Sequence, residues 1–255
     1  PAAPDAAAPA PVFVERLPKP EVIADHLASN MRQLLNQIAF REDAKIQLNL
    51  TGYDTETGKA KPSKIKIHSR INVTDDTISM VYAWLKQPSI HPFNCGIYAL
   101  RDLLRLHKIN ISLEELSITT LAIDLLNDIV KPGEEKLKTT LFSIDQVAQA
   151  QNPDFQSARL APQDVLKLKP PFIAHLKSEH LLVVNSIDEK GVHVLDLGKA
   201  YTVSADELTA KLSGFVLTPG LTSQKDIAHE MIPDAMKAFV WGDKWVDKSD
   251  ELPGI

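Results

Sequence analysis

A chain of 255 residues that is 44% hydrophobic, 24% charged and 6% aromatic can bury a core as one large domain or two small ones, and this composition excludes disordered, collagen-like and coiled-coil chains. A net charge of -5 offers no broad basic surface, so neither nucleic acid nor anionic lipid is expected as a partner. The single cysteine, Cys95, excludes an intramolecular disulfide framework and any multi-cysteine metal site, and no aliphatic run approaches the roughly 18 to 20 residues that span a bilayer.

The first twenty residues hold six prolines and six alanines, a composition that favours extended geometry and cannot form a packed unit. Residues 1–19 therefore read as a linker. Stalks of this kind often separate a signal or anchor from an exported domain, so a periplasmic, extracellular or membrane-tethered location is the expectation. Residues 21–40 carry Val22, Ile23, Leu27, Met31, Leu34, Leu35 and Ile38 at helical spacing. Residues 45–51 and 64–71 alternate apolar and polar side chains around a loop containing Gly52, Asp54, Gly58 and Pro62, which predicts a hairpin. Residues 75–86 read as another helix. Together residues 20–86 form a small α+β accessory unit in which no chemical motif stands out.

Residues 87–220 carry the chemistry. After Asn94-Cys95-Gly96, the residues Ile97, Leu100, Leu103, Leu104 and Leu106 fall on one helical face, which puts Cys95 in the first turn of a buried helix. Ser112 with Glu115 makes a capping pair, and the spacing of Leu121, Leu125, Leu126 and Ile129 suggests a second helix after it. Ser143 with Gln146 repeats the capping signature. Beyond Pro170-Pro171 the pattern changes to strands over residues 172–176, 181–187 and 192–197, the last two joined by a turn at residues 188–191. Ser204 and Glu207 open a short helix to Leu212, and residues 214–217 form a closing strand. In residues 221–255, the spacing of Ile232, Met236, Phe239, Val240, Trp241 and Trp245 predicts a helical extension packed on the main domain.

A lone cysteine is more often a small buried apolar group than a nucleophile, so its companions decide the reading. A thiol nucleophile needs a histidine to hold it as thiolate and to protonate the leaving amine, and that histidine needs an Asp or Asn to fix its tautomer. A helix N-terminus favours negative charge on the sulfur. His180 stands at the mouth of one strand and Asp196 in the next. With residues 188–191 as the turn, Ile187 faces Val192 and position 183 lies opposite Asp196. His180 then lies three residues further along, and the two side chains meet only if a twist or bulge brings them together. His175, His180 and Asp196 could also be imagined as metal ligands. However, residues 177–179 imply a turn and no His-Glu-x-x-His spacing exists, so no metal or cofactor is expected. His91, His107 and His193 read most simply as structural.

The run Asn94-Cys95-Gly96-Ile97-Tyr98-Ala99-Leu100, the leucine-rich helix after it, residues 171–176 with His175, His180-Leu181-Leu182-Val183-Val184, and Val192-His193-Val194-Leu195-Asp196 together resemble the bacteriocin-processing, double-glycine-leader cysteine peptidase family, which is papain-like. The resemblance implies an α+β papain-like fold, with a helical half carrying Cys95 and an antiparallel sheet carrying His180 and Asp196. It also implies that Cys95 is the nucleophile, His180 the general base and acid, and Asp196 the orienting group. The substrate would be a polypeptide, cleaved through a thioester after small residues such as glycine. The family's oxyanion-hole glutamine lies a few residues before the cysteine; here the nearest is Gln87, eight positions upstream. The Cys95 backbone N–H together with Gln87, Asn94 or His91 could hold the oxyanion, and losing one such donor costs about 2.7 to 4 kcal/mol. The displaced Gln87 keeps open an alternative, a catalytically inactive peptidase-like module that binds protein.

Overall fold

Short polar side chains set most of the helix starts. In the computed structural model, which describes residues 20–244, helix α1 spans Pro20–Asn36 and is followed by strands β1 (Lys45–Asp54) and β2 (Ala60–His68). Thr74 then caps α2 (Asp75–Leu85), Asn94 caps α3 (Cys95–Leu106) and Ser112 caps α4 (Leu113–Leu126), each with its side-chain oxygen accepting from backbone N–H groups of the first turn. The two-residue strand β3 (Ile109–Asn110) lies between α3 and α4. Strand β4 (Thr139–Thr140) runs directly into α5 (Leu141–Gln151). Next come β5 (Phe155–Arg159), α6 (Pro162–Val165), β6 (Phe172–Leu176), β7 (His180–Asp188), β8 (Gly191–Asp196), β9 (Lys199–Val203), α7 (Ala205–Lys211) and β10 (Leu212–Pro219). A single 3-10 turn at Leu221–Ser223 leads to β11 (Glu230–Met231), α8 (Asp234–Lys237) and β12 (Trp241–Gly242). The linker expected at residues 1–19 lies outside the described residues.

Seven strands form one antiparallel sheet in the order β11-β5-β10-β6-β7-β8-β9. Alternation along the central strands gives the sheet two apolar faces. Ile173, Leu181, Val183 and Leu217 join the buried residues of α1 to α5, whereas Ala174, Leu182, Val184, Val194 and Val216 pack with Val165 and Leu208 from α6 and α7. The helical half and the sheet half are those of a papain-like α+β fold. A second sheet, β2-β1-β3, ties the front of the chain to the rest, because Tyr53 and Asp54 of β1 pair with Asn110 and Ile109 of β3. Leu50, Ile65 and Ile67 share one core with Leu103 and Leu116.

Several elements differ from the sequence reading, each for a local reason. The spacing around Leu121 belongs to the same helix as the Ser112 cap, since nothing breaks α4 between Leu113 and Leu126. Helix α5 is capped three residues before Ser143: the Thr140 hydroxyl accepts from Ser143 N at 3.1 Å, and the Ser143 hydroxyl is turned to Asp124 at 2.8 Å. Strand β9 is largely exposed and lacked an apolar alternation to announce it. The helical extension expected over residues 221–255 is corrected within residues 221–244. Only α8 is α-helical there, one turn long, while β11 pairs with β5 and β12 pairs with β4. Pro233 limits the helix on one side, and the backbone of Val240 onward finds its partners in β4 and α5 instead. Trp245 lies outside the described residues.

Candidate active site

Asn94 fixes the start of α3. Its Oδ1 accepts from Gly96 N at 3.0 Å and Ile97 N at 3.3 Å, and its Nδ2 donates to Leu137 O and to Thr139 Oγ1, both at 2.9 Å. The amide is thereby fully used in locking the helix against β4, which leaves none of it to serve an oxyanion. Gly96 permits this close approach, because a Cβ there would sit 3.0 Å from Thr139 Cβ and 3.2 Å from Ile144 Cδ1. Cys95 is the first residue of α3 and is 0% exposed.

The histidine and the carboxylate come together through a backbone irregularity. At the turn the register is Ile187 opposite Val192, but it shifts by one between Val184 and Ser186, so that Val183 faces Leu195. Without the shift Asp196 would lie opposite Val183, on the face away from His180. With it, Asp196 falls opposite Leu182 and becomes a diagonal neighbour of His180 on the same face. The result is a hydrogen bond of 2.8 Å between His180 Nε2 and Asp196 Oδ1, both groups being buried. With Nε2–H committed to the carboxylate, the other nitrogen, Nδ1, is buried and makes no well-formed hydrogen bond.

Burial is the largest influence on the His180 ring and lowers its pKa. The hydrogen bond to Asp196, the interaction with the nearby Cys95 sulfur and the charge of Asp196 outweigh it and lift the ring from 6.5 to about 10. The ring is therefore an imidazolium at neutral pH, held between a carboxylate and a sulfur. His175, on the adjacent strand β6, behaves oppositely. Burial pushes it down to about 4, against a hydrogen bond that raises it, and with His180 adding to the depression. It is neutral, with Nδ1 2.8 Å from Ser213 Oγ and Nε2 3.1 Å from Trp241 O. The carbonyl of Trp241 can only accept, so the proton sits on Nε2.

The last described residues cover the cysteine. Strand β12 pairs antiparallel with β4, Trp241 opposite Thr140 and Gly242 opposite Thr139. A Cβ on Gly242 would lie 2.9 Å from Leu181 Cδ1, 3.0 Å from Cys95 Sγ and 3.1 Å from Gly96 N. Asp243 N donates to Glu179 O at 3.1 Å, and Cys95 N donates to Lys244 O at 2.6 Å.

Of the residues singled out in the sequence, the structure brings together Cys95, His180 and Asp196. It does not bring Gln87 to them. Gln87 is exposed in the turn after α2, held by backbone hydrogen bonds with Trp84 and Ile90, and its side chain has no hydrogen bond to Cys95. Its eight-residue offset leaves it outside, so the oxyanion role read for it is not supported. Sequence reasoning missed Thr139, His175 as a hydrogen-bonding partner, and residues 241–244. Only the glycine between Trp241 and Asp243 gave a signal, and it was too short to read.

The peptidase C39 family matches residues 91–224, more than half of the chain. The chain belongs to that family. Peptidase C39 proteins are cysteine peptidases, and the match spans Cys95, His180 and Asp196. Among solved structures, one similar to this chain is a double glycine motif protease from an AMS/PCAT transporter, determined in complex with the leader peptide. It is 16% identical, with a TM-score of 0.37, and the alignment covers 55% of this chain and 85% of that one. No curated protein gives a significant match.

Proposed function

We propose that Cys95, His180 and Asp196 form a catalytic triad that hydrolyses a peptide bond through a thioester. The observation that carries the reading is the His180 ring, bonded by Nε2 to Asp196 at 2.8 Å and raised to about 10 with the Cys95 sulfur among the causes. The charged ring favours the thiolate form of a neighbouring sulfur, which is the form that attacks. Cys95 Sγ attacks the peptide carbonyl carbon, and the Cys95 backbone N–H, at the head of α3, donates to the oxygen that becomes negative. His180 passes its Nδ1 proton to the leaving amine as the C–N bond breaks. Water, deprotonated by the same nitrogen, then cleaves the thioester and returns the thiolate. Asp196 keeps Nε2 protonated throughout, so that Nδ1 is the nitrogen free to move a proton.

The substrate is a polypeptide in extended form, and a small residue suits the position next to the sulfur. Gly242 already occupies that position, with no room for a side chain between Leu181, Cys95 and Gly96. A second reading, a binding module without turnover, draws on the full burial of Cys95. The test is to incubate the protein with a mixed peptide library and map new termini by mass spectrometry. Termini after small residues that vanish in Cys95→Ala are expected. Termini that persist in Cys95→Ala, or no cleavage by any form with an accessible Cys95, would overturn the peptidase reading in favour of binding.

A further inference from the structure

The groove at Cys95 is filled, and the occupant is this chain. We propose that residues 240–244 are a cis-acting strap that occupies the peptide-binding cleft and keeps Cys95 latent until it is displaced. The proposal rests on the peptidase reading of Cys95 and adds its regulation.

The strap lies in the cleft as a bound peptide would. It is extended and adds a strand to β4, which is the way sheet edges commonly capture peptides, through main-chain hydrogen bonds with small or specific side chains in between. Its glycine rests against the sulfur, and the carbonyl of Lys244 takes the Cys95 N–H, the donor that the reaction needs for its oxyanion. No incoming peptide can reach the sulfur or that donor while the strap is in place.

Its fastenings come from both halves of the fold. His175 donates to Trp241 O, Glu179 O accepts from Asp243 N, and Lys138 stacks on the Trp241 ring at 5.3 Å. The root is firmer than the strap. Lys237 is buried and bonds Asp145 of α5 at 2.8 Å, and Ile232 before it is buried too. Phe239, between the root and the strap, is 80% exposed. The strap can therefore lift from the cleft while α8 stays attached.

The chain has one thiol, so alkylation by iodoacetamide, followed by intact mass, reads Cys95 directly. Gly242→Leu places a side chain where even a Cβ is crowded, and Asp243→Pro removes the N–H that Glu179 accepts. The unaltered chain is expected to label slowly at pH 7.5. Both variants should label at least tenfold faster with unchanged circular dichroism. A synthetic peptide of residues 236–244, added in trans, should slow the labelling of Gly242→Leu. Equal labelling of the parent and both variants would overturn the strap. So would self-cleavage within residues 240–244 that is lost in Cys95→Ala, because the segment would then be a substrate. Fast-labelling variants that cleave no peptide would sustain the strap and sink the peptidase reading, whereas cleavage by the variants alone sustains both. If the variants unfold, hydrogen exchange in the unaltered protein decides: slow Cys95 and Asp243 amides support the strap, and fast ones overturn it.

Discussion

Removing the two partners of the His180 ring, first singly and then together, tests whether the sulfur and the carboxylate act on one imidazole. The lift from 6.5 to about 10 corresponds to about 5 kcal/mol of preference for the charged ring, at 1.36 kcal/mol per pH unit. A hydrogen bond to a charged group contributes about 1.5 to 3 kcal/mol. The two partners together must outweigh the burial and supply the whole rise from 6.5 to about 10, so Asp196→Asn and Cys95→Ala should each bring the titration down by roughly two pH units. The double variant keeps only the burial, which lowers the ring, so it should titrate below 6.5. The assay is the imidazole nitrogen spectrum in long-range 1H–15N NMR across pH 4 to 11. Stability follows with a definite sign. The folded pKa lies above the unfolded one, so the contribution is complete below about 6.5 and is lost as pH rises through about 10. Urea unfolding should thus show Asp196→Asn destabilised most near pH 6, with the deficit shrinking between pH 6.5 and 10 and absent above it. If Cys95→Ala leaves the His180 titration unmoved, or the double variant still titrates above 6.5, the sulfur is not a partner of the ring and the proposed triad fails.

Asn94→Ala removes the α3 cap and both amide donations to Leu137 and Thr139. The expected loss is about 2 to 4 kcal/mol in urea unfolding, since a cap contributes about 1 kcal/mol and buried acceptors left unpaired add to it. Lys237→Met leaves the Asp145 carboxylate buried without its cation, which should cost about 3 to 5 kcal/mol, and adding Asp145→Leu should recover much of it. Asp124, fully buried, accepts from Thr140 N at 3.1 Å and from the Ser143 hydroxyl at 2.8 Å, yet burial pushes it up to about 7. Its folded pKa lies above the unfolded value of 3.8, so the folded state holds the extra proton and stability falls as pH rises from 4 to 7. Asp124→Asn should flatten that slope, gaining on the parent by up to about 4 kcal/mol between pH 4 and 8. A slope unchanged by the substitution would contradict the assignment.

What the sequence made legible follows from how far each structural cause lies along the chain. Cys95 at a helix start was readable because the Asn94 cap and the leucines of α3 all fall within thirteen residues. The turn after β7 was readable too, and its register holds at Ile187 and Val192. The one-residue shift near Asn185 was not, since no glycine or proline marks it. Yet it alone decides whether Asp196 shares a face with His180. The C-terminal segment was misread for a related reason. Residues 232–241 do carry apolar side chains at helical spacing, but the backbone of residues 240–244 is satisfied by Leu141, β4, Glu179 and Cys95, which lie roughly 60 to 150 residues earlier in the chain. No window of local periodicity contains those partners. The two readings of a lone cysteine, buried apolar group or nucleophile, are consequently not exclusive here. The sulfur sits at a helix N-terminus beside a charged ring, as a nucleophile would, and it is buried because the chain's own backbone lies over it. On the strap reading, the cover over the sulfur is held largely by main-chain hydrogen bonds to Cys95, β4 and Glu179, and so it can be lifted without unfolding the protein.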